Sequence, residues 1–131
     1  MDPLVRELLE APNIVHLATL HPDGGPHSVA VWAGLEGERV CFFTQPASRK
    51  ARNLAADPRV ALSLIDRHNP YRTAYLRGCV VETVEGDAAL AIIDRLSVSY
   101  TGEPFPMRSG VVYLVEPALT GAMELPFTPA G

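Results

Sequence analysis

The stretch NIVHLATLHPDGGPHSVAVWA, residues 13–33, decides the fold of this chain. Apolar side chains alternate with other side chains along residues 13–20 and again along residues 27–33, which is the period of a β-strand. Between these segments, HPDGGP (21–26) contains two prolines and an Asp-Gly-Gly sequence, a strong turn signal. The pattern predicts two antiparallel strands, and one face of the second strand carries Ser28, Ala30 and Trp32.

The rest of the chain adds more strands and three short helices. Strand patterns occur at 39–44, 59–65, 73–85 and 111–124, with a bulge expected at Gly78 and a break at Pro117. Helices are predicted from Pro3, from Arg49 to Ala56, and from about Asp87. Six strands with so few helices favour a mainly-β fold, a six-stranded antiparallel β-barrel with peripheral helices. We expect one domain over residues 1–131, with a loose tail at 124–131 or one that docks on a neighbour.

Composition excludes several classes of protein. The formal net charge of −4 opposes a general affinity for nucleic acid or anionic membranes. No apolar run reaches the roughly 20 residues of a membrane span, and the first residues lack the basic region of a secretory signal. A cytoplasmic protein is therefore expected. Cys41, Cys79 and the four histidines show no metal-ligand spacing, so we expect two buried free thiols and no metal site.

The helix predicted at 49–56 begins with cations. Ser48 is a candidate N-cap, and Arg49, Lys50 and Arg52 follow it directly. Because a helix N-terminus already carries about half a positive charge, these side chains are unfavourable there unless an anion neutralises them. One interpretation is a phosphate site that combines free backbone N–H groups with these side chains. The other is a solvated cluster, or one paired with Asp57, Glu36 or Glu38.

Four motifs in order carry a family resemblance. They are ATLHPDGGPHSVAVWAG (18–34), FFTQPASRKARNL (42–54), NPYRTAYLRG (69–78) and YTGEPFP (100–106). Over residues 3 to 122 the chain resembles the pyridoxamine 5'-phosphate oxidase-like split-barrel family. The last two motifs resemble in particular its branch that uses the deazaflavin coenzyme F-420.

The resemblance implies a six-stranded split β-barrel that forms a homodimer with two cofactor sites at the subunit interface. The implied cofactor is coenzyme F-420, with FMN as the alternative. By the same resemblance, Ser28, Ala30 and Trp32 lie along its ring system, and Arg72 reaches the phosphate or the acidic tail from the partner subunit. The cofactor's chain and phosphate would contact Phe43, Thr44, Ser48, Arg49 and Lys50. Packing in the barrel core for Trp32 and solvation for Arg72 remain alternatives.

The implied activity is hydride transfer from the reduced deazaflavin to an unsaturated small molecule, with no catalytic side chain required. Two departures argue against pyridoxal phosphate synthesis. Arg72 is followed by Thr73 where those oxidases usually have Gln, and neither Trp nor Arg occurs after Arg108. Ala30 stands where the deazaflavin branch often has proline. The alternatives are an FMN-binding oxidase or flavin reductase on the same fold, and a non-catalytic carrier or sensor of flavin-like molecules.

Overall fold

Seven antiparallel strands form one curled sheet with three helices around it, and the computed structural model describes residues 1–130. The strands are β1 Val15–Leu20, β2 Pro26–Val31, β3 Ala33–Glu36, β4 Arg39–Thr44, β5 Arg59–Ile65, β6 Arg72–Val84 and β7 Val111–Glu124. The helices are α1 Pro3–Glu10, α2 Arg49–Ala56 and α3 Gly86–Thr101. Their order in the sheet is β2-β1-β5-β6-β7-β4-β3. The mainly-β split-barrel class predicted from the sequence is confirmed.

The predicted count of six strands is wrong, because the chain turns at Trp32. β2 pairs with β1 as far as Val31 opposite Val15, and β3 begins where Ala33 pairs with Phe42 of β4. The segment predicted as one strand therefore leaves one edge of the sheet and joins the opposite edge. The sheet curls on itself at this corner, which gives it the form of an open barrel.

The predicted break at Pro117 is also wrong, since β7 is continuous through it. Proline lacks the N–H group that a strand interior needs, so it is tolerated at edges and bulges. Pro117 lies opposite Gly78, where the register of β6 against β7 shifts. The bulge predicted at Gly78 is therefore present, and it accommodates the proline.

Two hydrophobic cores share strands β4 and β7. The larger core contains Phe42 and Tyr113, whose rings stack 5.3 Å apart inside the barrel. The smaller core lies under α3 and contains Cys41 and Leu114, the neighbours of those two aromatic residues in sequence. Alternate residues of the same strands thus face different cores, as the two-residue period requires.

The last residues pack against the protein's own surface. Glu124 ends β7, and the Leu125 N–H donates a hydrogen bond of 2.9 Å to the Tyr71 carbonyl. The Phe127 ring lies edge-on to the Tyr71 ring, with centroids 5.2 Å apart. The segment predicted as a loose tail thus begins inside the sheet, and Gly131 lies outside the described residues.

The structure also tests the expectations for the two cysteines and for membrane-spanning segments. Cys41 is buried as predicted, whereas Cys79 is exposed on β6, contrary to prediction. Within residues 1–130, no helix has the length and apolar character that crossing a bilayer would need.

Candidate functional site

A hydrogen-bonded loop fixes the start of α2. The Ser48 hydroxyl oxygen accepts a hydrogen bond of 3.1 Å from the Ala51 N–H, which confirms Ser48 as the N-cap. The same oxygen accepts a hydrogen bond of 2.9 Å from the Thr44 hydroxyl at the end of β4. Gln45 ties this loop to the segment before β7 through two hydrogen bonds with Ser109. The helix start is therefore held rigidly against the sheet.

The positive charge at this helix start is not compensated within residues 1–130. The first turn of α2 contains no acidic residue, and Arg49 and Lys50 form no ion pair with a carboxylate in that range. The carboxylates considered as partners are paired elsewhere: Asp57 with Arg59, Glu36 with Arg95 and Glu38 with Arg6. The internally paired alternative is therefore wrong, and the helix dipole adds to the unneutralised charge.

An apolar cavity opens beside this charge. It has a volume of about 280 Å³, and its wall is formed by Ile14, Ala30, Val31, Trp32, Phe43, Lys50 and Phe105. Lys50 is the only charged residue in this wall. Small-molecule sites are typically apolar clefts with a few polar groups that fix the ligand's orientation, and this cavity has that character.

Three aromatic rings line one side of the cavity, and a fourth, that of Tyr100, supports one of them. Trp32 stacks on Tyr100 with centroids 5.2 Å apart and an interplanar angle of 12°. Phe43 and Phe105 meet edge-on at 5.2 Å, and each also lies edge-on to Trp32. The Tyr100 hydroxyl accepts a hydrogen bond of 3.1 Å from the Ala33 N–H, and burial raises the pKa of this phenol. Tyr100 thus anchors the indole and the corner beside it.

His27 lies on β2 near the cationic helix start. Its pKa is lowered by loss of hydration and by repulsion from His21, Lys50 and Arg49. The His21 and His27 rings meet edge-on, 5.2 Å apart. The imidazole therefore belongs to the same positively charged region as the first turn of α2.

The structure brings together most of the residues predicted from the sequence. Ala30, Trp32, Phe43 and Lys50 line one cavity, and Thr44 and Ser48 are hydrogen-bonded to each other at the helix start. Ser28 is exposed on β2, outside the cavity wall.

Arg72 lies apart from this group. At the start of β6 its guanidinium is ion-paired with carboxylates from three segments: Glu7, Asp66 and Glu124. These contacts are those of a structural residue.

Sequence reasoning did not assign four residues that shape the cavity: Ile14, Val31, Tyr100 and Phe105. Tyr100 and Phe105 belong to the motif YTGEPFP (100–106), which the sequence analysis singled out. The motif by itself did not indicate that these two rings lie at the cavity. Val31 alternates with Trp32, so the strand pattern placed it on the opposite face from Ala30 and Trp32. Its position next to the corner exposes it to the cavity as well.

Comparison with known proteins agrees with this geometry. Residues 1–117 match the family model described as pyridoxamine 5'-phosphate oxidase. The pyridoxine/pyridoxamine 5'-phosphate oxidase of Rhodopseudomonas palustris (strain BisB5) is 36% identical over 81 residues, or 61% of this chain and 38% of the relative. That of Azorhizobium caulinodans is 37% identical over 89 residues, or 66% and 42%. The matches thus span less than half the length of these curated relatives.

Solved structures extend the similarity over nearly the whole chain. An F-420 reductase is 38% identical with a TM-score of 0.79, covering 88% of this chain and 94% of its own. A conserved hypothetical protein from Mycobacterium tuberculosis is 26% identical with a TM-score of 0.81, covering 100% and 92%. The curled sheet, the Ser48-capped cationic helix and the match over residues 1–117 agree with one another, and the chain belongs to the pyridoxamine 5'-phosphate oxidase family.

Proposed function

We propose that this protein is an oxidoreductase that binds coenzyme F-420, an 8-hydroxy-5-deazaflavin, and uses it to reduce an unsaturated small molecule. The observation that carries the proposal is the uncompensated Arg49–Lys50 pair at the start of α2, opening onto an apolar aromatic cavity. Similarity to an F-420 reductase at 38% identity supports this choice of cofactor.

The helix start fits a phosphate group. The first turn of a helix presents unpaired N–H groups, and the dipole favours negative charge there. Arg49 can bind two phosphate oxygens through its planar guanidinium, while Lys50 acts as a point charge. Because Lys50 also lines the cavity, a ligand held there by its phosphate can place an attached ring against Trp32 and Phe43.

One subunit supplies only part of the cover that such a ligand needs. The cavity of about 280 Å³ lies at the lower limit of small-molecule sites, which occupy roughly 300–1,000 Å³. On the edge strand β2, Ala30 in the cavity wall and Ser28 outside it are both exposed. We propose that a second copy of the chain completes the site, so that the working enzyme is a homodimer with the cofactor at its interface.

The protein's part in the reaction is positioning and exclusion of water. A bound reduced deazaflavin supplies a hydride from its C5 atom. Trp32, Phe43 and Phe105 keep water away from one side of the cavity, and a dry site strengthens electrostatic interactions within it. The Tyr100 hydroxyl is engaged by the backbone of Asn13 and Ala33, so it is not free to protonate a substrate. Proton delivery from solvent is the simplest route.

A side-by-side titration tests the proposal. Cofactor-free protein would be titrated with coenzyme F-420 and with FMN, and the change in ligand absorbance recorded. We expect saturable binding of coenzyme F-420 in preference to FMN, followed by oxidation of the reduced coenzyme when an activated alkene or quinone is added. Preference for FMN would instead indicate an oxidase or flavin reductase, which the family match favours as the second candidate. Binding without transfer to any acceptor would indicate a carrier or sensor.

Replacing both Arg49 and Lys50 by Ala tests where the phosphate binds. We expect the double variant to bind coenzyme F-420 about 2–4 kcal/mol more weakly, since each charge-assisted contact contributes about 1.5–3 kcal/mol and the two overlap. Arg77→Ala is the matched control, because Arg77 is exposed on β6 and likewise forms no ion pair within residues 1–130. A folded double variant with unchanged affinity would place the phosphate elsewhere.

A further inference from the structure

We infer that His27 is a third ligand of the phosphate bound at the start of α2, and that it takes up a proton when the phosphate binds. The inference rests on the proposed function, because it requires an anionic cofactor at this helix. It adds to that function a proton-coupled step in cofactor binding.

The position of His27 follows from the pairing of β1 with β2. His27 lies directly opposite Thr19 in the ladder, so the two side chains share a face of the sheet. The Thr19 hydroxyl oxygen accepts a hydrogen bond of 3.0 Å from the side-chain amide of Asn53, which is 1% exposed on α2. This bond anchors α2 to the strand pair at the level of His27.

The imidazole has hydrogen-bonding capacity that the described residues do not use. Its Nδ1 atom is buried and has no hydrogen-bond partner within residues 1–130. Nε2 is not among the buried unpartnered atoms, and within the same range it forms no hydrogen bond, so it faces outward. Buried polar groups are nearly always paired in folded proteins, so a buried Nδ1 atom without a hydrogen-bond partner is exceptional. The outward nitrogen is available to a ligand.

The charges around His27 disfavour its protonation in the free protein. Arg49 and Lys50 from α2 and His21 from the turn before β2 all oppose its protonation, as does partial burial. From β1, the residue opposite His27 is the uncharged Thr19. A bound phosphate reverses the local field and raises the pKa of His27, so that the ring becomes an imidazolium that donates from Nε2 to a phosphate oxygen.

The resulting pH dependence has a definite sign. Between the pKa of His27 in the free protein and its higher pKa in the complex, binding takes up one proton. The dissociation constant therefore rises with pH in that window, by up to about 10-fold per pH unit, and levels off above it. Below the window His27 is charged in both states, so the coupling disappears.

The experiment measures the affinity of wild type, His27→Gln, His21→Gln and His68→Gln for coenzyme F-420 between pH 5.5 and 8.5. His68 is an exposed loop histidine between β5 and β6, and it serves as the matched control. Because titration of the ligand itself is common to all four proteins, the differences between profiles report the histidines. We expect His27→Gln to bind about 10-fold or more weakly than wild type at pH 6 and to approach it at pH 8.5. His68→Gln should keep the wild-type pH dependence. His21→Gln should keep the coupling with its window shifted to higher pH, because one repulsion that opposes protonation of His27 is removed.

Calorimetry on wild type gives a readout that needs no variant. Binding measured at pH 7 in two buffers of different ionisation enthalpy should show proton uptake by the complex. No uptake, or parallel profiles for wild type and His27→Gln, would overturn the role of His27 while leaving the cofactor assignment standing. Loss of the coupling in His21→Gln would transfer the role to His21 and overturn the inference. Failure of wild type to bind coenzyme F-420 at any pH would overturn the proposed function and this inference with it.

Discussion

At the scale of single residues, Arg72 lies at the start of β6, and its side chain contacts carboxylates that the sequence did not predict as its partners. It was predicted to contact the cofactor from the partner subunit, and that role remains a prediction. In the structure its side chain is 22% exposed and is ion-paired with Glu7, Asp66 and Glu124. A residue already surrounded by three carboxylates is a poor site for a further anion.

Replacing Arg72 by Met separates the two roles. We expect the free energy of unfolding to fall by about 1–3 kcal/mol, mainly because Asp66 loses a charge-assisted hydrogen bond of 2.6 Å in a half-buried position. Glu7 and Glu124 are more exposed and contribute little. Urea denaturation measures the loss, and cofactor titration should show affinity unchanged. Weaker cofactor binding by a stably folded Arg72→Met variant would instead support the predicted contact.

The stability lost in Arg72→Met should also depend on pH. Burial disfavours ionised Asp66, but hydrogen bonds from the His68 and Asn69 backbone and from Arg72 outweigh burial and lower its pKa. A lowered pKa stabilises the fold above the ordinary value of about 3.9 and loses that contribution as pH falls through the folded value. The stability difference between wild type and Arg72→Met should therefore shrink below about pH 4.

At the scale of elements, local signals predicted α2 better than they predicted the ends of the strands. Ser48 and Pro58 bracket α2, and its bounds of Arg49–Ala56 match the prediction. The corner at Trp32 was missed because it involves a tertiary contact, in which the Tyr100 hydroxyl binds the backbone of Ala33, 67 positions earlier in the chain. Phe105 was missed as a cavity residue for the same reason, since only the folded chain brings it to Phe43. Periodicity reports on neighbours in sequence, whereas these contacts are tertiary.

The close approach of β6 to β7 at the Gly78 bulge can be tested by substitution. A Cβ atom on Gly78 would lie 2.2 Å from the Glu116 carbonyl oxygen, so Gly78→Ala must displace backbone. We expect a loss of about 2–3 kcal/mol in unfolding free energy, in the upper range for overpacking. The control is Gly121→Ala, where the Cβ would meet the half-exposed ring of Tyr75 at 2.5 Å.

Because the Tyr75 ring can swing toward solvent, the control should lose less than about 1 kcal/mol. Urea denaturation measures both losses, and an equally small loss in Gly78→Ala would show that the β6–β7 pair can shift at little cost near Pro117.

At the scale of the whole molecule, the two hydrophobic cores share strands and are therefore expected to unfold together. β4 and β7 face the barrel core with one set of alternate residues and the core under α3 with the other. The proposed cofactor site is built across both cores, since Phe43 packs with the smaller core and Val31 with the larger one. Order at the site therefore depends on the complete fold, and the chain should unfold in one cooperative transition.

Cofactor binding should accordingly stabilise the whole chain. At 100 times its dissociation constant, coenzyme F-420 should raise the unfolding free energy by about 2.7 kcal/mol and the Tm by on the order of 10 °C. Circular dichroism at increasing temperature measures the shift. At the same ligand concentration, the variant with Ala at positions 49 and 50 should gain less than about 1 kcal/mol, because its dissociation constant is at least about 30-fold higher. The same shift in both proteins would mean that binding does not involve the helix start.

The position of Trp32 makes the fluorescence of the protein sensitive to ligands in the cavity. It is the only indole in the chain, and it stands in the cavity wall between Tyr100 and Phe105. The tryptophan fluorescence of the protein therefore originates entirely at this site. Any ligand that absorbs in the near ultraviolet and binds against the indole will quench that fluorescence. The protein thus contains its own optical reporter, with which ligands can be screened without labels and at low protein concentration.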